Sequence, residues 1–123
     1  MYSRLTFSFA ILQPGEFEYF GSGWCRDSKS KMYDYFRFYI EGLTALICQD
    51  KCIEHWEGLT GISTYDSHYC YCWFDDGELP NSQPSDIHGY SSRFKGSGEV
   101  ALTLSSDDGD CYKFVEKVSR QDK

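Results

Sequence analysis

Cys48-Gln-Asp-Lys-Cys52, followed after a turn-rich interval by Cys70-Tyr-Cys72, is the stretch whose reading decides the fold. Cysteines four apart share one face of a helix, and cysteines two apart share one face of a strand. Both spacings come to roughly 6 Å along their elements, so a helix lying on a strand forms two side-by-side bridges. The remaining pair, Cys25 and Cys111, flanks this staple and is expected to close the domain. Six cysteines allow fifteen pairings. A helix antiparallel to the strand gives Cys48–Cys72 and Cys52–Cys70, nested inside Cys25–Cys111, and this is the expected set. A parallel helix swaps the inner order.

At 123 residues the chain reads as a single domain, 1–123, large enough for a core and small enough for staples to matter. Closing the loop from Cys25 to Cys111 contributes about 4 kcal/mol in the chain-entropy picture. An even cysteine count at these spacings points to a secreted protein or another oxidising lumen. The net charge of -7 argues against nucleic acid, which needs a concentrated basic surface. Arg26, Lys29, Lys31 and Arg37 form a basic run, but Asp27 and Asp34 dilute it, so it reads as a solvated loop and strand. No apolar run approaches the about 20 residues that span a bilayer, and the N-terminus lacks the basic-then-apolar form of a signal peptide. A mature form or excised domain is therefore expected. The one asparagine, Asn81, is not in a glycosylation sequon.

Working outward, residues 4–12 alternate Leu5, Phe7, Phe9 and Ile11 with small or polar residues and read as an extra N-terminal strand. Pro14-Gly15 is a turn, and Glu16–Phe20 a second strand before Gly21-Ser-Gly23. Tyr33–Ile40 alternates with aromatic residues on both sides: Phe36, Phe38 and Ile40 against Tyr33, Tyr35 and Tyr39. Thr44 is a fair N-cap for a helix over 45–56 with Ala45, Cys48, Cys52 and Trp56 on one stripe. Gly61–Tyr65 and His68–Asp75 form a hairpin through Asp66-Ser67. In the second strand His68, Cys70, Cys72 and Phe74 share one face, and Tyr69, Tyr71 and Trp73 the other. Residues 78–97 are the longest irregular stretch, of a length more often functional than idle. Val100, Leu102 and Leu104 mark a strand, Cys111–Val118 the last one, and 119–123 a polar tail.

A cysteine-bearing helix, a cysteine-bearing strand after it and an outer pair around both resemble the PAN/apple superfamily. The phrases Gly23-Trp-Cys-Arg-Asp27, Gly61-Ile-Ser-Thr-Tyr65, Tyr69-Cys-Tyr-Cys72 and Phe74-Asp-Asp-Gly77 are similar to small cysteine-rich domains of secreted diatom and related algal proteins. The resemblance covers about 17–115. It implies an outer Cys25–Cys111 bridge, inner bridges fastening the helix to the sheet, and a module that binds proteins or carbohydrates without being an enzyme. The strand before Pro14 is outside that pattern.

Other chemistry is weaker. Four cysteines with His55 or His68 invite zinc, yet Cys-x-Cys on a strand spreads its sulfurs apart, unlike a zinc knuckle. His55, His68 and His88 are scattered, with no nucleophile motif near them. Asp75-Asp-Gly77-Glu78 and Asp107-Asp-Gly-Asp110 gather carboxylates as calcium requires, but neither is an EF-hand loop and both suit hairpin turns. No cofactor is expected.

The aromatic row Tyr69, Tyr71 and Trp73, with Tyr33 and Tyr35 beside it, is the candidate ligand-binding surface. Its competing reading is a second core layer covered by residues 4–12. The expected fold is α+β, an antiparallel sheet with one helix stapled to it by disulfides. The expected function is a non-enzymatic binding module for a protein or glycan; the alternative is a small structural subunit of a cell-surface or luminal assembly. At least part of the row, with the 78–97 loop, is expected to form the contact.

Overall fold

The computed structural model describes residues 15–116. Six strands form one antiparallel sheet: β1 (Gly15–Ser22), β2 (Asp34–Tyr39), β3 (Leu59–Tyr65), β4 (Tyr69–Phe74), β5 (Gly89–Ser91) and β6 (Asp110–Glu116). Their order across the sheet is β1-β6-β3-β4-β2-β5, which places the cysteine strand β4 between β3 and β2. Residues 4–12, expected to form a further strand, lie outside the described residues, as does the tail.

Helix α1 (Ala45–Cys52) starts where the Thr44 hydroxyl accepts the Ile47 N–H at 3.2 Å, and it tightens into a 3-10 turn at Ile53–His55. Its buried residues are the two cysteines, while Leu46 and Ile47 are exposed. The bridges therefore hold the helix more than any apolar stripe does.

Register sorts side chains onto two faces. Cys70, Cys72, Phe74, Phe36, Phe38 and Ile62 share the helix face and form the larger buried cluster. Tyr69, Tyr71, Trp73, Tyr35, Arg37 and Ser63 share the other, the tyrosine face, where Cys25, Tyr33, Trp73, Val100 and Cys111 form a second cluster.

The bridges are Cys25–Cys111, Cys48–Cys70 and Cys52–Cys72. The outer bridge is as expected. The inner order corrects the expectation of Cys48–Cys72 and Cys52–Cys70, because α1 runs parallel to β4. Between them the chain reverses twice, once into β3 and once into β4. The outer bridge sits on the tyrosine face, opposite the helix. Gly61 makes room for it: a Cβ there would lie 2.6 Å from the Tyr112 carbonyl oxygen and 3.3 Å from Cys25 Sγ.

Residues 100–104, expected as a strand, instead cross the tyrosine face. The Arg26 N–H donates to the Leu102 carbonyl at 3.0 Å, and the Ala101 N–H donates to the Arg26 carbonyl at 2.9 Å, an isolated bridge outside the sheet. Three aspartates fix the neighbouring loop. Asp34 Oδ1 accepts the Phe94 and Lys95 N–H groups at 3.1 and 2.9 Å, Asp27 Oδ2 that of Ser97 at 3.0 Å, and Asp75 Oδ1 that of Gly98 at 2.9 Å. These carboxylates satisfy successive loop amides and so hold a polar segment against the aromatic sheet, where Phe94 stacks on Tyr35 at 6.2 Å.

Candidate functional site

Period-two alternation on β2 and β4 lines up Tyr35, Arg37 and Tyr39 beside Trp73, Tyr71 and Tyr69. The row is closed at one end and open at the other. At the closed end Trp73 is fully buried, and its indole N–H donates to Ser63 Oγ at 2.8 Å. Tyr33 is fully buried as well; its hydroxyl donates to the Gly98 carbonyl at 2.8 Å, and burial, the largest cause, pushes its pKa far above the usual phenol value. These two residues belong to the core, which corrects their assignment as contact residues. The cover is Trp24, whose ring meets Trp73 at 5.7 Å and Tyr71 at 4.8 Å, together with Met32 and Val100.

Tyr35, opposite Trp73, is half-buried; at the open end Tyr69 and Tyr71 are half-buried and Tyr39 is 44 % exposed. Asp66 and Ser67 both take left-handed φ, of 56° and 61°, so the strand begins only at Tyr69. His68 therefore sits in the turn and stacks on Tyr39 at 5.1 Å, away from the cysteine face where alternation had placed it. His88, from the 78–97 stretch, closes against Tyr39 and Tyr69 at 5.8 and 5.6 Å. Glu41 marks the rim: it accepts the Tyr39 hydroxyl at 3.0 Å, and that bond, the largest cause, raises the Tyr39 pKa.

Arg37 lies in the middle of the row. Its guanidinium carbon is 5.7 Å from the Tyr69 ring centre, and Nη2 donates to the His88 carbonyl at 3.3 Å. Nε is shut off from solvent and has no acceptor among the described residues, and no described carboxylate forms an ion pair with this side chain. Burial, the largest effect, raises the Tyr71 pKa, and a hydrogen bond from the Arg37 side chain, together with its charge, opposes it.

Of the residues in this row, alternation in the sequence singles out Tyr35, Tyr69 and Tyr71 but not the part played by Arg37, Trp24 and His88. Arg37 was legible, since it falls between Tyr35 and Tyr39 on one face of a strand. His88 was not, because nothing in a loop sequence says where it will land.

The other candidates resolve into structure. Asp107 is held by Arg26 through two bonds of 2.9 and 3.1 Å, and Asp75 by the amides of Asp76 and Gly98. Among the described residues the one convergence of metal-type ligands is Cys48, Cys52 and Cys70, whose sulfurs are already in disulfides. His55 lines an open cleft of about 300 Å³ with Glu54, Trp56, Glu57, Glu78 and Pro80, and its ring packs on Phe36 at 5.5 Å. Among the described residues no ion pair joins it to those carboxylates. No helix among the described residues is long and apolar enough to cross a membrane. No family model, curated protein or solved structure matches the chain.

Proposed function

We propose that this chain is a non-enzymatic, disulfide-stabilised binding module that uses the open end of its tyrosine face to hold a protein partner. The observation that carries this reading is a row of half-exposed tyrosines fixed on a sheet whose two faces are each bridged by disulfides. Rigid aromatic residues give large contact area at low conformational-entropy cost. Three intrachain disulfides are compatible with an oxidising, extracellular setting. A helix bridged twice to the sheet and an outer bridge joining first and last cysteines support keeping the PAN/apple likeness within the proposal.

A protein is favoured over a glycan because the rings lie against one another. Tyr71 is near parallel to Trp73 at 5.2 Å, Tyr39 to His68 at 5.1 Å, and Tyr69 has Arg37 over it and Tyr65 stacked at 6.2 Å. A sugar needs an open ring face to stack on, whereas a protein surface also uses edges and hydroxyls. The second reading, a structural subunit, is favoured by apolar side chains exposed on other sides: Leu46 and Ile47 on α1, Tyr90 on β5 and Leu104.

The test presents immobilised wild type and a Tyr39→Ala/Tyr69→Ala variant to an extracellular-protein array and a glycan array. Protein binding abolished in the variant, with all three bridges intact, is expected. Binding to glycans alone overturns the partner class, and protein binding that survives the substitutions overturns the site.

A further inference from the structure

Arg37 is the feature that folding does not explain. A guanidinium carries five N–H donors and is always charged, and a half-buried cation is ordinarily paired. Here its partners among the described residues are the His88 carbonyl at 3.3 Å, the neighbouring Tyr71 side chain and the Tyr69 ring. Leaving Nε buried without an acceptor costs stability, and a neutral side chain would avoid that cost. The sequence nevertheless makes room for the group: a Cβ at Gly89 would lie 2.7 Å from Nη2 and 3.2 Å from Cζ. Glycine on this edge strand lets the guanidinium lie flat against the β5 backbone, between tyrosines.

We propose that Arg37 is the anchor for a carboxylate on an acidic peptide segment of the partner, received between Tyr69, Tyr71 and the β5 edge. The inference rests on the binding-module reading above and adds the chemistry of the partner. Charge complementarity selects the occupant: a guanidinium set among aromatic rings, with no carboxylate partner among the described residues, favours a planar, bidentate anion and strengthens its bond by excluding water. Uronic-acid sugars carry the same carboxylate, but the occupied ring faces select the peptide source.

The experiment uses the full oxidised chain and short synthetic peptides in matched pairs, one member rich in Asp and Glu and the other carrying Asn and Gln at the same positions. Acidic members should bind, the amide members should bind about tenfold or more weakly, and the Arg37 Nε–Hε NMR signal should shift on binding. Arg37→Gln should remove the acidic preference while its Tm stays at or above wild type, and Lys29→Gln, the same charge change on an exposed loop, should leave binding unaltered. Arg37→Lys, the gentler change if the glutamine variant folds poorly, should weaken binding but keep some of the preference. No preference for acidic members, a preference that survives Arg37→Gln, or binding confined to oligogalacturonate overturns the proposal. Should Tyr39→Ala/Tyr69→Ala abolish binding to arrayed proteins while Arg37→Gln does not, the anchor fails and the contact face stands.

Discussion

Asp27 shows how much one side chain carries where a loop must cover a sheet. It is 3 % exposed, and its oxygens accept the Lys29, Lys31 and Ser97 N–H groups at 2.9, 2.8 and 3.0 Å. Burial, the largest single effect, raises its pKa, but the three amide bonds and the Lys31 charge together outweigh it and the net shift is downward. A folded pKa below the ordinary aspartate value of about 3.9 means the charged carboxylate favours the folded state. That contribution is complete above the unfolded value and disappears as pH falls through the folded one. Asp27→Asn turns an amide donor toward at least one backbone donor, so it should cost about 1–3 kcal/mol at pH 7. The gap between variant and wild type should narrow below about pH 4. Thermal unfolding of both proteins across that range checks it, and a gap that widens on acidification contradicts it.

The helix and its strand illustrate what was legible and what was overlooked. Spacing alone paired Cys48 and Cys52 with Cys70 and Cys72, because two strand rises and four helical rises match in either direction. Direction follows from connectivity: Gly58 and Asp66-Ser67 are two reversals, and two reversals leave β4 parallel to α1. Both turns were visible in the sequence, so the inner order was there to be derived. Non-reducing peptide mapping should find Cys48–Cys70 and Cys52–Cys72. An eight-residue helix that buries little beyond its cysteines is marginal by itself. Cys48→Ala/Cys70→Ala should cost about 3 kcal/mol. Removing both inner bridges should expose the α1 amides to hydrogen exchange while β3 and β6 stay protected, and equal loss of protection in helix and sheet contradicts this.

At the scale of the molecule the sheet has two covered faces, and the second cover is what the sequence concealed. Alternation placed Tyr69, Tyr71 and Trp73 opposite the cysteines, as observed. The lid is hard to read because residues 92–99 are attached through carboxylate-to-amide bonds that leave no hydrophobic pattern, and because the alternation of Val100, Leu102 and Leu104 reads equally well as a strand of the sheet. Trp24 was the available clue: it precedes a cysteine bridged to β6, so its ring had to fall near the tyrosine face. The lid stops short of Tyr39, which divides one aromatic row into core and surface. Alanine substitution along the row should therefore produce two opposed gradients. Trp73→Ala should cost about 3–5 kcal/mol, as large buried aromatics do. Tyr71→Ala should cost less, and Tyr39→Ala, at 44 % exposure, about 1 kcal/mol or less. Loss of partner binding among the variants that remain folded should run the other way, greatest at Tyr39 and Tyr69. Chemical denaturation read beside binding on the same preparations separates the two, and a stability cost that is flat along the row means the lid does not divide it.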